Sequence, residues 1–153
     1  MLGDHGLLFK GSYMYDEVVH TPLILRAPGK LPAGSVVNDL CEEVDVMPTL
    51  LELLGVAHPL GVQGQSLFNG KKKSAVFSEF PTIKMARTRE WKLVHYTKAK
   101  YGELYHLTED PHELTNLWDD PKYAAARAEM EGLLFDWLAT STDPKLAPVQ
   151  GKL

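Results

Sequence analysis

The spacing of apolar residues changes along this chain, and each change predicts a different element. In the run from Asp45 to Gly55, Met47, Leu50, Leu51 and Leu54 recur at helical intervals. That spacing predicts a helix beginning at Val46, capped by Asp45 and stopped by Gly55, with Pro48 in the first turn where a missing N–H costs little. Ahead of it, mixed charged and apolar residues over 13–19 predict a short helix. It must end at Thr21-Pro22, because the residue before proline avoids the helical region. The apolar run Leu23-Ile24-Leu25, closed by Arg26-Ala27-Pro28-Gly29, predicts a buried strand, followed by a loop over 30–38 that leads into Val36-Val37.

Residues 58–73 carry Pro59, Gly61, Gly64 and Gly70 with no sustained period, which predicts a long connection. Beyond it come short strand candidates at 75–80, 85–88, 91–96 and 103–107, with Arg89-Glu90 and residues 98–102 as turns. Together they predict an antiparallel meander. Asp110-Pro111 breaks the last strand. Residues 121–139 are rich in Ala, Glu, Leu and Met, with Met130, Leu133, Leu134, Trp137 and Leu138 as an apolar stripe. This predicts a helix that buries Leu134, Trp137 and Leu138 on one face of the sheet. The tail over 140–153, with Pro144, Pro148 and Gly151, is expected to be extended. The fold class is α/β, turning to α+β in the C-terminal part, and no internal repeat occurs.

Composition narrows the function. At 153 residues, 44% hydrophobic and 24% charged, the chain has one domain's length and enough apolar side chains for a core. A net charge of −4 and a pI near 5.8 argue against nucleic acid or an anionic membrane as partner, and Lys71-Lys72-Lys73 is too short to reverse this. No stretch approaches the roughly 18–20 apolar residues of a membrane span. The first six residues lack the basic and apolar regions of a signal peptide. The cellular compartment stays open.

Self-contained chemistry is scarce. There is no glycine-rich phosphate loop, no His-Glu-x-x-His pair and no Gly-x-Ser-x-Gly elbow. The histidines at 5, 20, 58, 95, 106 and 112 stand at no tight metal-ligand spacing with one another or with Cys41. A single cysteine excludes an internal disulfide. Its neighbours Asp39, Glu42 and Glu43 would raise its pKa, which makes it a poor nucleophile.

The informative stretch is Gly3-Asp4-His5-Gly6-Leu7-Leu8-Phe9-Lys10-Gly11, then Tyr15-Asp16-Glu17 and Thr21-Pro22-Leu23-Ile24-Leu25-Arg26. It resembles the sulfatase family of the alkaline-phosphatase superfamily, with its Leu-Gly-(Glu/Asp)-His-Gly-Leu, Lys-Gly, Tyr-(Asp/Glu)-Glu and Pro-Leu-Ile segments. Asp45-Val46-Met47-Pro48-Thr49-Leu50-Leu51, Gly64-Gln65-Ser66-Leu67 and Glu103-Leu104-Tyr105-His106-Leu107 also resemble family signatures. So does Asp110-Pro111-His112-Glu113 with Asn116-Leu117. In that order the matches cover nearly the whole chain.

The resemblance implies a C-terminal portion of a larger hydrolase of sulfate esters. On that reading residues 1–57 are the tail end of the catalytic α/β domain, 58–74 a connecting loop and 75–153 a C-terminal sheet-plus-helix subdomain. Lys10 stands at the position of the family's sulfate-binding lysine. His5 can line the pocket or hydrogen-bond the leaving group, and Asp4 is a weaker candidate for metal binding. The family's formylglycine arises from Cys-x-Pro-x-Arg or Ser-x-Pro-x-Arg, which this chain lacks. Its divalent cation (Ca or Mg) is held by residues expected before Met1. No cofactor is therefore expected in this chain, which alone is expected to be inactive. Two other readings stand beside it: a phosphonate or phosphate ester hydrolase of the same superfamily, and a freestanding non-catalytic interaction module. If the strands that border residues 7–54 in the family are absent, their apolar faces are expected to drive self-association.

Overall fold

The strongest element is Trp91–Tyr96, where Leu93 and Val94 are both fully buried although they point to opposite sides. A strand buried on both faces must be central and must have cover above and below. In the computed structural model, which describes residues 1–59 and 61–141, it is the third of four. The strands β1 (Val76–Phe80), β2 (Ile83–Arg87), β3 (Trp91–Tyr96) and β4 (Gly102–His106) form one antiparallel sheet in sequence order. Pro81-Thr82 joins β1 to β2. The Thr88 N–H donates to the Trp91 carbonyl at 2.8 Å to close the next turn, and Lys98 takes a left-handed conformation, φ 69°, in the last. Among the described residues three α-helices accompany the sheet: α1 (Asp16–Val19), α2 (Val46–Leu54) and α3 (Ala124–Thr140). The expected meander, its order and both ends of its third strand are observed.

Register divides the side chains between two faces. Ala86, Leu93 and Leu104 lie opposite one another and form a core with Met130 and Leu134 of α3. Trp137 completes it by stacking on Phe77 of the edge strand, 4.9 Å between centroids and 4° between planes. Leu138, expected inside, is 43% exposed and lies outside this cluster, because Trp137 already occupies the contact with the edge strand. On the other face Ile83, Met85 and Val94 pack against Met14, with Val19 and Tyr96 alongside. The sheet therefore lies between its own C-terminal helix and a strip of the N-terminal segment.

Three further expectations need correction. Leu23-Ile24-Leu25 is not a strand: no strand of the sheet borders it, and Ile24 is 88% exposed. An apolar run supplies the side chains of a strand but not its hydrogen-bonding neighbour. The short helix begins at Asp16 rather than Tyr13, because Tyr15 remains extended at φ −63°, ψ 152°. Asp45 precedes α2 but makes no side-chain cap to it, since its own backbone is already helical at φ −80°, ψ −17°. Its buried carboxylate turns back, accepting the N–H groups of Glu42 and Gln65 at 2.9 Å each and pairing with Lys73 at 2.7 Å. Thr49 adds a second tie, donating to the Asp45 carbonyl at 2.6 Å and accepting the Leu67 N–H at 3.0 Å. Gly55 stops the helix as expected, at φ 70°. The tail expected to be extended lies, beyond Ser141, outside the described residues.

Candidate functional site

Gly3-Asp4-His5-Gly6 folds on itself as one turn of 3₁₀ helix. The Asp4 N–H donates to the Met1 carbonyl at 3.0 Å, the Gly6 N–H to the Gly3 carbonyl at 3.0 Å and the Leu7 N–H to the Asp4 carbonyl at 2.9 Å. Gly3 at φ 113° and Gly6 at φ 72° adopt backbone that only glycine takes freely. His5 is also left-handed, at φ 53°, and a side chain held there stores of order 1–3 kcal/mol of strain. That turn directs the imidazole inward, leaving its side chain 10% exposed. The ring lies flat on Tyr15, 3.7 Å between centroids and 8° between planes, and Nε2 stands 3.4 Å from a Glu17 carboxylate oxygen.

Tyr15 is backed by the sheet. Its ring stands tilted over Tyr105, 6.3 Å between centroids and 54° between planes, and the Tyr96 hydroxyl donates to Glu103 at 2.7 Å. Burial, followed by the Glu103 charge, pushes the Tyr15 and Tyr105 phenols up; burial and the Glu103 hydrogen bond do the same to Tyr96. These phenols stay protonated at neutral pH and serve as walls and donors, not bases.

Beneath them lies a group of charges that the sequence did not disclose. Lys92 is fully buried. Its ammonium sits 2.5 Å from Asp16 Oδ1, 2.5 Å from Glu113 Oε1 and 3.0 Å from the Met14 carbonyl. Arg87 reaches Asp16 at 3.2 Å, and Glu113 accepts the Asp16 N–H at 2.7 Å. Burial raises the Asp16 carboxyl, but the charge and hydrogen bond of Lys92, then Arg87 and His20, outweigh it and hold the group below 3.8. For Glu113 burial wins over Lys92, and its carboxyl lies above 4.5. Tyr15-Asp16-Glu17 and Asp110-Pro111-His112-Glu113 stood out as motifs. Lys92 gave one weak signal, a charge at an inward position of an otherwise apolar strand.

The candidates fare unequally. His5 is partly enclosed and held, whereas Asp4 and Lys10 are exposed. No hydrogen bond or ion pair joins Lys10 to His5 or Asp4 among the described residues, and Lys10 has no ion-pair partner there. The family's metal does not fit this donor set: no three of the described His, Cys, Asp or Glu side chains converge, and the one nitrogen of His5 with a carboxylate beside it faces Glu17. Formylglycine does not fit either. Cys41 is followed by Glu42-Glu43-Val44-Asp45, and burial, then the Asp45 charge, pushes its thiol up. No helix is long and apolar enough to cross a membrane among the described residues.

A family model for the C-terminal region of N-sulphoglucosamine sulphohydrolase matches residues 3–139. A Delta 4,5-hexuronate-2-O-sulfatase of Bacteroides thetaiotaomicron is 32% identical over 93% of this chain and 33% of its own length. An N-acetylglucosamine-6-O-sulfatase of the same organism is 34% identical over 87% of the chain and 27% of its own length. Among solved structures, a protein in complex with its substrate D-glucosamine-2-N,6-O-disulfate superposes with a TM-score of 0.81 at 29% identity. That match covers 97% of this chain and 34% of the other. A phosphonate monoester hydrolase from Silicibacter pomeroyi gives a TM-score of 0.79 at 26% identity, over 88% of this chain and 32% of its own. The chain thus spans about a third of the length of the curated relatives it matches.

Proposed function

Because the chain belongs to the N-sulphoglucosamine sulphohydrolase C-terminal family, a sulfatase C-terminal region of the alkaline-phosphatase superfamily, we propose that it is the part of a sulfuric ester hydrolase that presents Lys10 and His5 to a sulfate ester. The nucleophile and the divalent cation come from residues outside this sequence. Residues 1–57 then close the catalytic α/β domain, 58–74 connect, and 75–153 form the C-terminal subdomain.

The chemistry follows from charge. As the ester bond breaks, negative charge spreads over the equatorial sulfate oxygens and the leaving oxygen, and a fixed cation aimed at these stabilises the transition state more than the ground state. Lys10, exposed and without a charged partner among the described residues, supplies such a cation. His5 can donate a hydrogen bond to the leaving oxygen. The observation that carries this reading is His5 itself: a strained backbone, an aromatic stack and a carboxylate contact all fix one ring.

The purified chain alone should not hydrolyse a nitrophenyl sulfate. Turnover by the chain, abolished by Lys10→Ala, would overturn the division of labour. In a chimera where the chain replaces the matching third of the hexuronate sulfatase, Lys10→Ala should lower kcat/KM about 10²–10³-fold, the typical cost of one oxyanion donor. An unchanged rate would remove Lys10 from the site.

The phosphonate monoester hydrolase neighbour favours a second reading, since the same charge stabilisation serves a phosphonate ester. Preference of the chimera for a phenylphosphonate ester would select it. A freestanding interaction module is the third reading. Its support is the exposed apolar surface at Leu8, Phe9, Ile24, Val36, Val37 and Leu54, which a partner would cover; self-association through the N-terminal third is a separate proposal for the same surface.

A further inference from the structure

The bonds of the Gly3–Gly6 turn are internal, so they shape the loop without fixing it to the molecule. What ties the His5 ring to the rest is the Tyr15 face and the Glu17 carboxylate. Both residues flank Asp16, and Asp16 is gripped at two points: Glu113 accepts its N–H, and Lys92 and Arg87 hold its carboxylate. Lys92 also takes the Met14 carbonyl, two residues before. The backbone is thus pinned on both sides of Tyr15.

This grip is long-range. Tyr15 offers no side-chain cap to α1, and the free amide at the helix start is satisfied by Glu113 from 97 residues away. Glu113 is itself bent into left-handed backbone at φ 53°, in a turn whose next two amides, Leu114 and Thr115, donate to Asp110. Two cations, Arg87 and Lys92, face two carboxylates, Asp16 and Glu113, so the charges of the cluster balance, with Lys92 and Glu113 buried and Arg87 and Asp16 partly exposed.

We propose that Lys92 and Glu113 are positioning residues, a buried charged clamp that sets the His5 ring through Met14–Glu17. The inference rests on the reading that His5 lines the sulfate site, but its test does not use activity. His5 stacks on Tyr15, and on the opposite face of the sheet His106 stacks on Trp91, 4.2 Å between centroids and 15° between planes. Each imidazole proton signal is therefore displaced upfield by a ring current in the NMR spectrum of the full chain, and His106 reports whether the sheet and α3 remain folded.

Lys92→Met and Glu113→Gln should each remove more than half of the His5 displacement and leave that of His106. Lys84→Met, which breaks the pair with Glu79, should change neither. A His5 displacement that survives both clamp variants while His106 stays in place would overturn the proposal. Collapse of both signals in Glu113→Gln, the milder change, would also overturn it, because the clamp would then support the whole sheet rather than the His5 segment. Activity of the chimera bears only on the role of His5, so the two ideas fail separately.

Discussion

Replacing glycine by alanine should have opposite signs at two sites in this chain. At Gly64 a Cβ would overlap the Val44 carbonyl and stand 2.9 Å from the Asp45 nitrogen. These are backbone atoms, so no rotamer relieves the clash, and overpacking of this kind costs about 1–3 kcal/mol. The segment must also lift away, which severs the Gln65 N–H bond to the Asp45 carboxylate and the Leu67 N–H bond to Thr49. A hydrogen bond to a charged group contributes about 1.5–3 kcal/mol and a neutral one about 0.5–1.5. Since one movement relieves the clash and breaks the bonds, the costs overlap, and the loss should be about 3–5 kcal/mol. At Gly132, inside α3, a Cβ meets nothing within 4 Å. There alanine should stabilise by about 0.5–1 kcal/mol by restricting the unfolded chain. Native-state hydrogen exchange reads the first effect directly: protection of the Gln65 and Leu67 amides should fall about 10²–10⁴-fold in Gly64→Ala. Urea unfolding followed by tryptophan fluorescence reads the second. Unchanged amide protection in Gly64→Ala, or a lower midpoint in Gly132→Ala, would refute this account of the two contacts.

The clamp should also shape the response to acid. Asp16 lies below 3.8, so its stabilisation is present above that value and is lost as pH falls through its lower folded value; Glu113 lies above 4.5, so its contribution is present below 4.5 and is lost as pH rises through its folded value. Glu113→Gln should abolish the gain in urea midpoint on acidification toward 4.5 and keep the collapse below 3.8; persistence of the gain would contradict the assignment. Hydrogen bonding to the Glu109 carboxylate, 3.0 Å from His106 Nδ1, opposed by burial and helped by Glu90, holds His106 above 6.5. Its stabilisation is full below 6.5 and disappears as pH rises past the folded value, and Glu109→Gln should bring its NMR titration down toward 6.5. An unmoved titration would assign the shift elsewhere. Sedimentation of the purified chain should show concentration-dependent association that Phe9→Asp with Ile24→Asp weakens; a monomer at high concentration would show that these side chains tolerate water.

Local signals explain what the sequence disclosed. Strand Trp91–Tyr96 and the Gly55 stop depend on residues within the element, so patterning found them. The Leu23–Leu25 run failed because strand identity needs a neighbour, which no local pattern supplies. Asp45 was legible as a residue at a helix start but not as the acceptor for Gln65 and Lys73, 20 and 28 positions away. His5 was visible through its glycine neighbours, yet its partners Tyr15 and Glu17 come from the next segment. Lys92 was the least legible, because a lysine signals solvent until the carboxylates that enclose it are known.

The two covers of the sheet differ in how far along the chain they come from. The hairpins of the sheet are local, and helix α3 packs on β2, β3 and Phe77 of β1 across loops of roughly 40–60 residues. The Met14–Val19 strip must close loops of roughly 70–100 residues before Lys92 meets Asp16 and Glu113 holds its amide. The longer loops place this docking after the local hairpins, which close first. Until then Lys92, Arg87 and Glu113 stand hydrated on an open sheet face, and all must shed water together as the strip arrives. The strip is also translated first, so on the ribosome it waits for the surface that will receive it while Met14 and Val19 stay uncovered. A sheet face left uncovered during synthesis, rather than weakness of the finished fold, is the cost that this arrangement carries.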